Sequence, residues 1–255
     1  MAQLFLYDTT LRDGSQREDI SLSVEDKLTI AKRLADFGIH YIECGWPGSN
    51  PKDADFFARA NRLKLGQTRL AAFGSTRRKE GRCETDSNLK ALLDAGTPVV
   101  TLVGKSWDYH VTEVLSATLA ENLVMIGESV AYMKSMGREV MFDAEHFYDG
   151  FVANREYALA VLDAAAGAGA DWLVLCETNG GKLPWQVEEI TREVAGRYGT
   201  RLGVHCHNDA GCAVASALTG PLPSAAVNFR LSPSFTFTVA SDSIPRPWRC
   251  SVMTK

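Results

Sequence analysis

The amino-acid sequence predicts an α/β fold, a (β/α)8 or TIM barrel in which seven strand–helix units are recognisable and the eighth strand is lost or replaced. Two features of the 255 residues support this prediction. Short apolar runs alternate with longer amphipathic segments, and polar residues gather where the predicted strands end. Strands that are apolar on both faces and are separated by crossover helices form a parallel sheet covered by helices.

The seven predicted strands are short runs rich in apolar residues. They cover residues 4–8, 40–46, 69–74, 98–104, 139–145, 171–177 and 201–207. Apolar residues spaced three and four apart predict helices between them, at 23–38, 51–66, 85–96, 117–137, 155–169 and 184–199. In the first helix Ser23 is the expected N-cap, Asp26 follows three positions later, and Gly38 is the expected end.

The distribution of polar residues distinguishes a closed barrel from an open sheet. An open sheet gathers its ligand-binding residues around one switch point, whereas a barrel collects them from strands all the way round. The polar residues in question lie at or just past the ends of strands one, two, five, six and seven: Asp8, Arg12, Asp13, Glu43, Glu145, Thr178, His205 and His207. This spread favours the barrel.

The composition excludes two classes of partner. Lys and Arg total 27 against 31 for Asp and Glu, and the net charge of −4 gives no basic surface for nucleic acid. No apolar stretch reaches the roughly 18 residues that a membrane-spanning helix needs, and the first residues lack the pattern of a secretory signal. We therefore expect a cytoplasmic protein that acts on small molecules, without nucleic-acid or membrane partners.

Two histidines one residue apart, His205 and His207, end the seventh predicted strand. Residues i and i+2 of a strand face the same side, so the two imidazoles project together into the mouth of the barrel. Imidazole nitrogens suit a divalent ion, and a carboxylate such as Asp13 would complete a mixed nitrogen and oxygen site. The alternative is that the histidines only cap the strand through hydrogen bonds.

A second polar cluster, YDTTLRDGSQRE at 7–18, follows the first strand. It contains more charged and hydrogen-bonding side chains than a simple connection requires, and loops at this end of a barrel are where function concentrates. A structural alternative exists, because Asp13 and Gly14 form a good turn pair and Arg12 could join a surface ion pair.

Several stretches of the chain closely resemble the citramalate synthase branch of the isopropylmalate and homocitrate synthase family, whose members are metal-dependent acyltransferases on a TIM barrel. The resemblance runs from about residue 3 to 218, and the stretches that carry it are LYDTTLRDGSQRE, IECGWPGSNPKD, AFGSTRR, VGKSWDYHVTEVL, FDAEHFYDGF, LCETNGG and VHCHNDAGCAVA. The STRRK and KSWDYHVTEVL stretches indicate the citramalate branch.

The resemblance implies an activity and a set of site residues. The activity is the condensation of acetyl-CoA with pyruvate, which gives (R)-citramalate and CoA in isoleucine biosynthesis. Asp13, His205 and His207 would hold a divalent ion, Mn²⁺, Mg²⁺, Zn²⁺ or Co²⁺. Thr178 would hold the pyruvate carboxylate. From their positions at and beyond the strand ends, we also expect Arg12 and Glu145 to be catalytic and Gln16, Glu43 and His110 to bind substrate. Members of the family form homodimers.

The resemblance stops partway through a helix, and this divides the chain into a barrel domain at 1–218 and a segment at 219–255. The family continues with an eighth strand and a glycine-rich NGYGERCGN-type segment, neither of which is recognisable here. The segment 219–255 is rich in Ser and Pro and predicts irregular chain, except that 235–240 alternates like a strand. This pattern indicates a truncated or frameshifted end.

Loss of the eighth strand would leave strands seven and one with open edges. The sequence therefore keeps several functional hypotheses open. One is a citramalate synthase, and another is an inactive remnant of the family. The others are a synthase that uses a different 2-oxo acid, such as isopropylmalate or homocitrate synthase, and a lyase that runs the reverse cleavage.

Overall fold

The computed structural model describes residues 5–199, 201–219, 225–231 and 235–240, and its strands form one closed barrel. The strands are β1 (Phe5–Asp8), β2 (Tyr41–Glu43), β3 (Arg69–Ser75), β4 (Val99–Lys105), β5 (Glu139–Glu145), β6 (Trp172–Glu177), β7 (Leu202–Cys206), β8 (Ala225–Leu231) and β9 (Phe235–Ala240). The first seven strands pair in order and run parallel, which confirms the predicted barrel of seven strand–helix units.

Helices alternate with these strands and cover the outside of the sheet. They are α1 (Val24–Phe37), α2 (Pro51–Ala60), α3 (Ser87–Asp94), α4 (Asp108–Glu113), α5 (Leu119–Ser135), α6 (Phe147–Ala153), α7 (Arg155–Gly167), α8 (Pro184–Tyr198) and α9 (Ala213–Thr219). In the part of the chain that the structure describes, short 3₁₀ helices lie at Gly14–Gln16 and Cys83–Thr85. Among the described residues, no helix combines the length and the apolar character that crossing a membrane would require.

The start and end of α1 follow the sequence signals. The Ser23 hydroxyl accepts a hydrogen bond from the backbone N–H of Asp26 (3.2 Å), and the Asp26 carboxylate accepts one from the backbone N–H of Ser23 (2.9 Å). This reciprocal cap satisfies two N–H groups that the helix cannot pair internally. At the other end Gly38 adopts φ 92°, a left-handed conformation that favours glycine.

The space between β7 and β1 is filled by a hairpin. β8 pairs in parallel with β7, and β9 runs antiparallel to both β8 and β1. The predicted strand at 235–240 is confirmed, whereas the expectation of irregular chain is wrong for 225–231. Both edges left by β7 and β1 carry backbone groups that need partners, and an alternating segment can supply them. The remainder of 219–255 beyond Thr219 lies outside the described residues, and the division of the chain at residue 218 stays a prediction.

Helix α2 differs from its prediction, because it ends at Ala60 rather than at residue 66. Leu63 and Leu65 continue the apolar spacing, but they pack against the core from a loop. The sequence also missed two short helices, α4 and α6. These helices have six and seven residues, fewer than two full turns, which is too short to show a clear apolar period.

The main apolar core lies between the sheet and the helices. Its largest fully buried side chains include Phe56, Phe57, Phe142, Phe147 and Tyr148. The inside of the barrel holds a smaller apolar cluster near its floor. Tyr7 belongs to this cluster, and four polar or charged residues are buried inside the barrel with it: Glu43, Thr101, Asp143 and His205. The apolar layers therefore fix the barrel, and the barrel in turn holds a set of buried charges close together.

Gly150 of α6 allows close packing near the end of β4. An added Cβ at Gly150 would lie 2.3 Å from the Ser106 carbonyl oxygen and 2.9 Å from Trp107 Cα. We expect Gly150→Ala to lower the free energy of unfolding by about 1–3 kcal/mol, the usual cost of overpacking. Urea denaturation measures the change.

Gly127 of α5 provides the matched control, because its added Cβ would approach other atoms no closer than 3.9 Å. Gly127→Ala should raise the free energy of unfolding by about 0.4–1 kcal/mol, since it restricts the unfolded chain. Similar effects of the two substitutions would contradict the packing explanation.

Candidate functional site

Three donor side chains meet at the carboxyl end of the barrel strands. His205 Nε2 lies 3.1 Å from Asp13 Oδ2, and His207 Nε2 lies 3.5 Å from the same oxygen. The three ligand atoms all lie within 4.8 Å of one another. Two imidazole nitrogens and one carboxylate oxygen at this spacing fit a single divalent cation. The predicted convergence of these residues is thus present in the geometry.

Local structure sets each donor in place. The two histidines lie two positions apart at the end of β7, so their rings share a face, with centroids 5.0 Å apart. Asp13 follows β1 in a tight turn, in which the Thr9 carbonyl accepts hydrogen bonds from the backbone N–H groups of Arg12 (3.1 Å) and Gly14 (3.0 Å). This turn directs the Asp13 side chain back toward the mouth.

Burial and charge change the pKa values of this cluster in opposite directions. Burial alone would raise the pKa of Asp13, but the hydrogen bond with His205 and the nearby Arg12 guanidinium hold it well below its ordinary value. Burial alone would lower the pKa of His205, but Asp13 and Asp143 raise it to about 9. At neutral pH the pair is therefore an imidazolium beside a carboxylate.

Arg12 is fixed on three sides. Its Nε donates to Glu43 Oε1 (2.6 Å), its guanidinium carbon lies 3.7 Å from the centre of the Phe73 ring, and its Nη1 is 3.8 Å from Asp13 Oδ1. Burial alone would lower the pKa of Arg12, but the Glu43 and Asp13 carboxylates raise it above its ordinary value. The group remains a cation directed at the mouth.

Glu43 is held by two side chains inside the barrel. It is fully buried, and both of its oxygens are occupied, Oε1 by Arg12 and Oε2 by the Tyr7 hydroxyl, which donates at 2.5 Å. The substrate-binding role expected for Glu43 stays a prediction. Its contacts are those of a residue that holds Arg12.

Glu145 and Thr178 lie at the ends of neighbouring strands. Glu145 forms an ion pair with Lys105 of β4. Thr178 Oγ1 accepts a hydrogen bond from the backbone N–H of His146 (2.8 Å), which leaves the hydroxyl hydrogen available to another acceptor. His146 has a left-handed backbone (φ 56°), a costly conformation for a residue other than glycine, and this hydrogen bond helps to offset that cost.

The two remaining predicted residues, His110 and Gln16, lie in different surroundings. The His110 ring packs against Trp107 and His146, with ring centroids 4.7 and 4.3 Å away, so it belongs to the rim beside Glu145. Gln16 ends the 3₁₀ helix at Gly14–Gln16 and is exposed. The structure does not bring Gln16 into contact with the donor cluster.

Sequence reasoning missed two buried residues of the site, Tyr7 and Asp143. Tyr7 holds Glu43 and contacts Thr101 (2.6 Å). Asp143 Oδ2 lies 3.9 Å from His205 Nδ1. The signal for Asp143 was available, because Asp143 and Glu145 lie two positions apart on β5 and share a face, as the two histidines do on β7.

Comparison with known proteins agrees with this geometry. A family model described as HMGL-like matches residues 3–223. The chain belongs to the HMGL-like family. Among solved structures of this fold, hydroxymethylglutaryl-CoA lyase from Pseudomonas aeruginosa superposes with a TM-score of 0.71 and 22% identity, covering 88% of this chain and 75% of that one.

Curated relatives confirm the branch of the HMGL-like family that the sequence motifs indicate. The (R)-citramalate synthase of Aquifex aeolicus is 54% identical over 224 residues, which cover 88% of this chain and 42% of that protein. The 2-isopropylmalate synthase of Sulfolobus acidocaldarius is 31% identical over 221 residues, covering 86% of this chain and 54% of that protein. The chain thus spans less than half the length of the first relative and about half that of the second.

The buried Arg12–Glu43 pair should contribute strongly to stability. Glu43→Ala leaves a buried guanidinium without its main partner, and breaking such a pair costs about 3–5 kcal/mol of unfolding free energy. Glu43→Gln, which keeps an acceptor oxygen, should cost less. Urea denaturation compares both variants with the unsubstituted chain.

Asp94→Ala is the control, because it breaks the exposed ion pair with Lys90 on α3. Solvent screens that pair, and we expect no measurable change. Equal effects of the Glu43 and Asp94 substitutions would show that burial of the Arg12 pair does not matter.

Proposed function

We propose that this chain carries the catalytic barrel of a metal-dependent acyltransferase that condenses acetyl-CoA with pyruvate and releases (R)-citramalate and CoA. The observation that carries the proposal is the convergence of Asp13, His205 and His207 beside the fixed cation of Arg12. The greater identity to a citramalate synthase (54%) than to a 2-isopropylmalate synthase (31%) supports pyruvate as the 2-oxo acid.

Asp13, His205 and His207 would hold the divalent cation. The donor chemistry fits, because imidazole suits Zn²⁺ or Co²⁺ and the carboxylate also suits Mn²⁺ or Mg²⁺. A bound cation supplies a Lewis acid that withdraws electron density from the keto group of the substrate.

Arg12 stabilises the negative charge that develops on the keto oxygen when the new carbon–carbon bond forms. Its guanidinium is held by Glu43 and Phe73 before the substrate arrives, so little reorganisation is needed during the reaction. Tyr7 supports this arrangement by donating to Glu43. We assign Glu43 to positioning Arg12 rather than to binding substrate.

The rim residues orient the substrates. The free hydroxyl hydrogen of Thr178 donates to the pyruvate carboxylate, and Glu145 serves as the carboxylate that binds the reacting groups or accepts the methyl proton of acetyl-CoA. His110 lines the entrance beside His146. The condensation breaks a C–H bond of the acetyl methyl group, joins that carbon to the keto carbon and leaves an alkoxide, which takes up the proton that the methyl group lost. Water then hydrolyses the thioester to release CoA. Cytoplasmic location and a homodimer stay predictions.

The decisive assay is the release of free CoA from acetyl-CoA in the presence of Mn²⁺ with one 2-oxo acid at a time. We expect release with pyruvate and little with 2-oxoisovalerate or 2-oxoglutarate. Activity with one of the latter would assign a different substrate. No release with any acid would favour the inactive remnant.

Arg12→Ala should lower kcat by about 10²–10³, the scale of losing one oxyanion contact. Arg12→Lys keeps a cation beside Glu43 and is the folding control, although a lysine cannot reproduce the planar fork. Initial rates of CoA release at saturating substrate concentrations give kcat. A near-normal rate for Arg12→Ala would exclude the proposed role.

Metal binding should release a proton. Without metal, His205 has a pKa of about 9 and carries a proton at pH 7, whereas a metal ligand must be neutral. We expect release of about one proton per cation at pH 7, falling as the pH rises through about 9. Calorimetric titration of Zn²⁺ in buffers of different ionisation enthalpy measures it.

His207→Ala should abolish binding in this titration. His40→Gln is the control, because His40 lies at the amino end of β2 and accepts a hydrogen bond from Leu6 (2.9 Å), far from the mouth. Proton release that does not change between pH 7 and pH values above 9 would contradict the raised pKa of His205.

A further inference from the structure

We propose that Asp143 is a positioning residue that fixes the orientation and tautomer of His205 for metal binding. The inference rests on the proposed metal-dependent function and extends it to a residue of β5 that has no direct place in the reaction. Asp143 lies inside the barrel, two strands away from His205.

The geometry brings these two side chains together from opposite sides of β6. Asp143 Oδ2 is 3.9 Å from His205 Nδ1, and both residues are buried, at 6% and 3% exposure. His205 Nδ1 is fully buried and has no hydrogen-bond partner. A buried ring nitrogen without a partner is uncommon and calls for an explanation.

The chemistry of a ligating imidazole provides that explanation. His205 Nε2 faces Asp13, so Nε2 is the nitrogen that would bind the cation. A neutral imidazole that binds through Nε2 must carry its hydrogen on Nδ1. That hydrogen then needs an acceptor, and Asp143 presents a carboxylate oxygen toward it. A movement of less than one ångström would close the hydrogen bond.

Cys176 is a further polar neighbour of this pair. Its sulfur, Asp143 and His205 form a second group of ligand-type atoms within 4.8 Å of one another. The thiol points to the Val174 carbonyl (3.8 Å), and a thiol is a weak acceptor, so it is a poor alternative partner for Nδ1–H. A second cation bound by Asp143, Cys176 and His205 is the competing possibility.

Two variants of Asp143 test the inference on the full chain. Asp143→Ala removes the acceptor, and loss of such a partner weakens metal binding about 10–100-fold. Asp143→Asn keeps a carbonyl oxygen in the same place and should weaken binding less. Calorimetric titration with Zn²⁺ gives affinity and stoichiometry, after urea denaturation has shown that each variant is folded.

Thr101→Val is the matched control. Thr101 is another buried polar residue inside the barrel, but it contacts Tyr7 rather than the histidines. Its substitution should leave the Zn²⁺ affinity within about twofold, since it removes no contact of the ligand set. A comparable loss in Thr101→Val and Asp143→Ala would mean that the barrel interior was disturbed in general, and it would overturn the inference.

Nitrogen-15 NMR of the Zn²⁺-loaded protein reads the tautomer directly. We expect His205 to show hydrogen on Nδ1 and metal on Nε2, with the Nδ1–H signal protected from exchange in the unsubstituted chain and exposed to exchange in Asp143→Ala. Equal affinity and equal protection in both proteins would overturn this inference alone. A stoichiometry of two would favour the second cation site and also overturn it.

Absence of Zn²⁺ binding to the unsubstituted chain has a different meaning. It would overturn the proposed metal-dependent function, and the inference about Asp143 would fall with it. The two failures are therefore distinguishable from the same titration.

Discussion

The contact between Asp13 and His205 joins the turn after the first strand to the seventh strand across the mouth of the barrel. These residues are 192 positions apart in the chain, and only closure of the sheet brings them within 3.1 Å. The hairpin of β8 and β9 provides that closure, because it pairs with β7 on one side and β1 on the other. Glu43 and Glu145 lie at the ends of other strands in the same barrel.

A barrel interior that buries several charges must compensate each one. The Arg12 cation lies among the carboxylates of Glu43 and Asp13, and His205 lies between the carboxylates of Asp13 and Asp143. Each cation thus has a carboxylate on more than one side, which limits the cost of desolvation. The arrangement also keeps carboxylates in excess beside His205, as expected of a site that receives a positive ion.

Much of the fold and part of the site could be predicted from the sequence. Strict alternation at the end of β7 predicted that His205 and His207 share a face, and strand-end polarity predicted their meeting with Asp13. The role of Glu43 could not be read in this way. A glutamate at the end of a strand can point into the mouth of the barrel or bind a neighbouring arginine. The contacts of Glu43 with Tyr7 and Arg12, which only the structure shows, favour the second alternative.

The end of the chain shows a second limit of sequence reasoning. Alternation at 235–240 predicted β9, but serine and proline on either side hid the alternation of Val227, Phe229 and Leu231 in β8. Pairing with the open edges of β7 and β1 outweighs such weak local signals, as is usual for β structure. Tertiary pairing, rather than local preference, therefore accounts for these strands.

The pairing of β1 with β9 also has a consequence for the order of folding. Phe5 pairs with Ala240, so the seam of the cylinder joins segments from the two ends of the described chain. The entropy of loop closure rises with sequence separation, and long-range strand pairing is slow. The seam should form after the local strand–helix units. A cation added early in refolding would therefore encounter separate side chains, before Asp13 and the two histidines have come together as a ligand set.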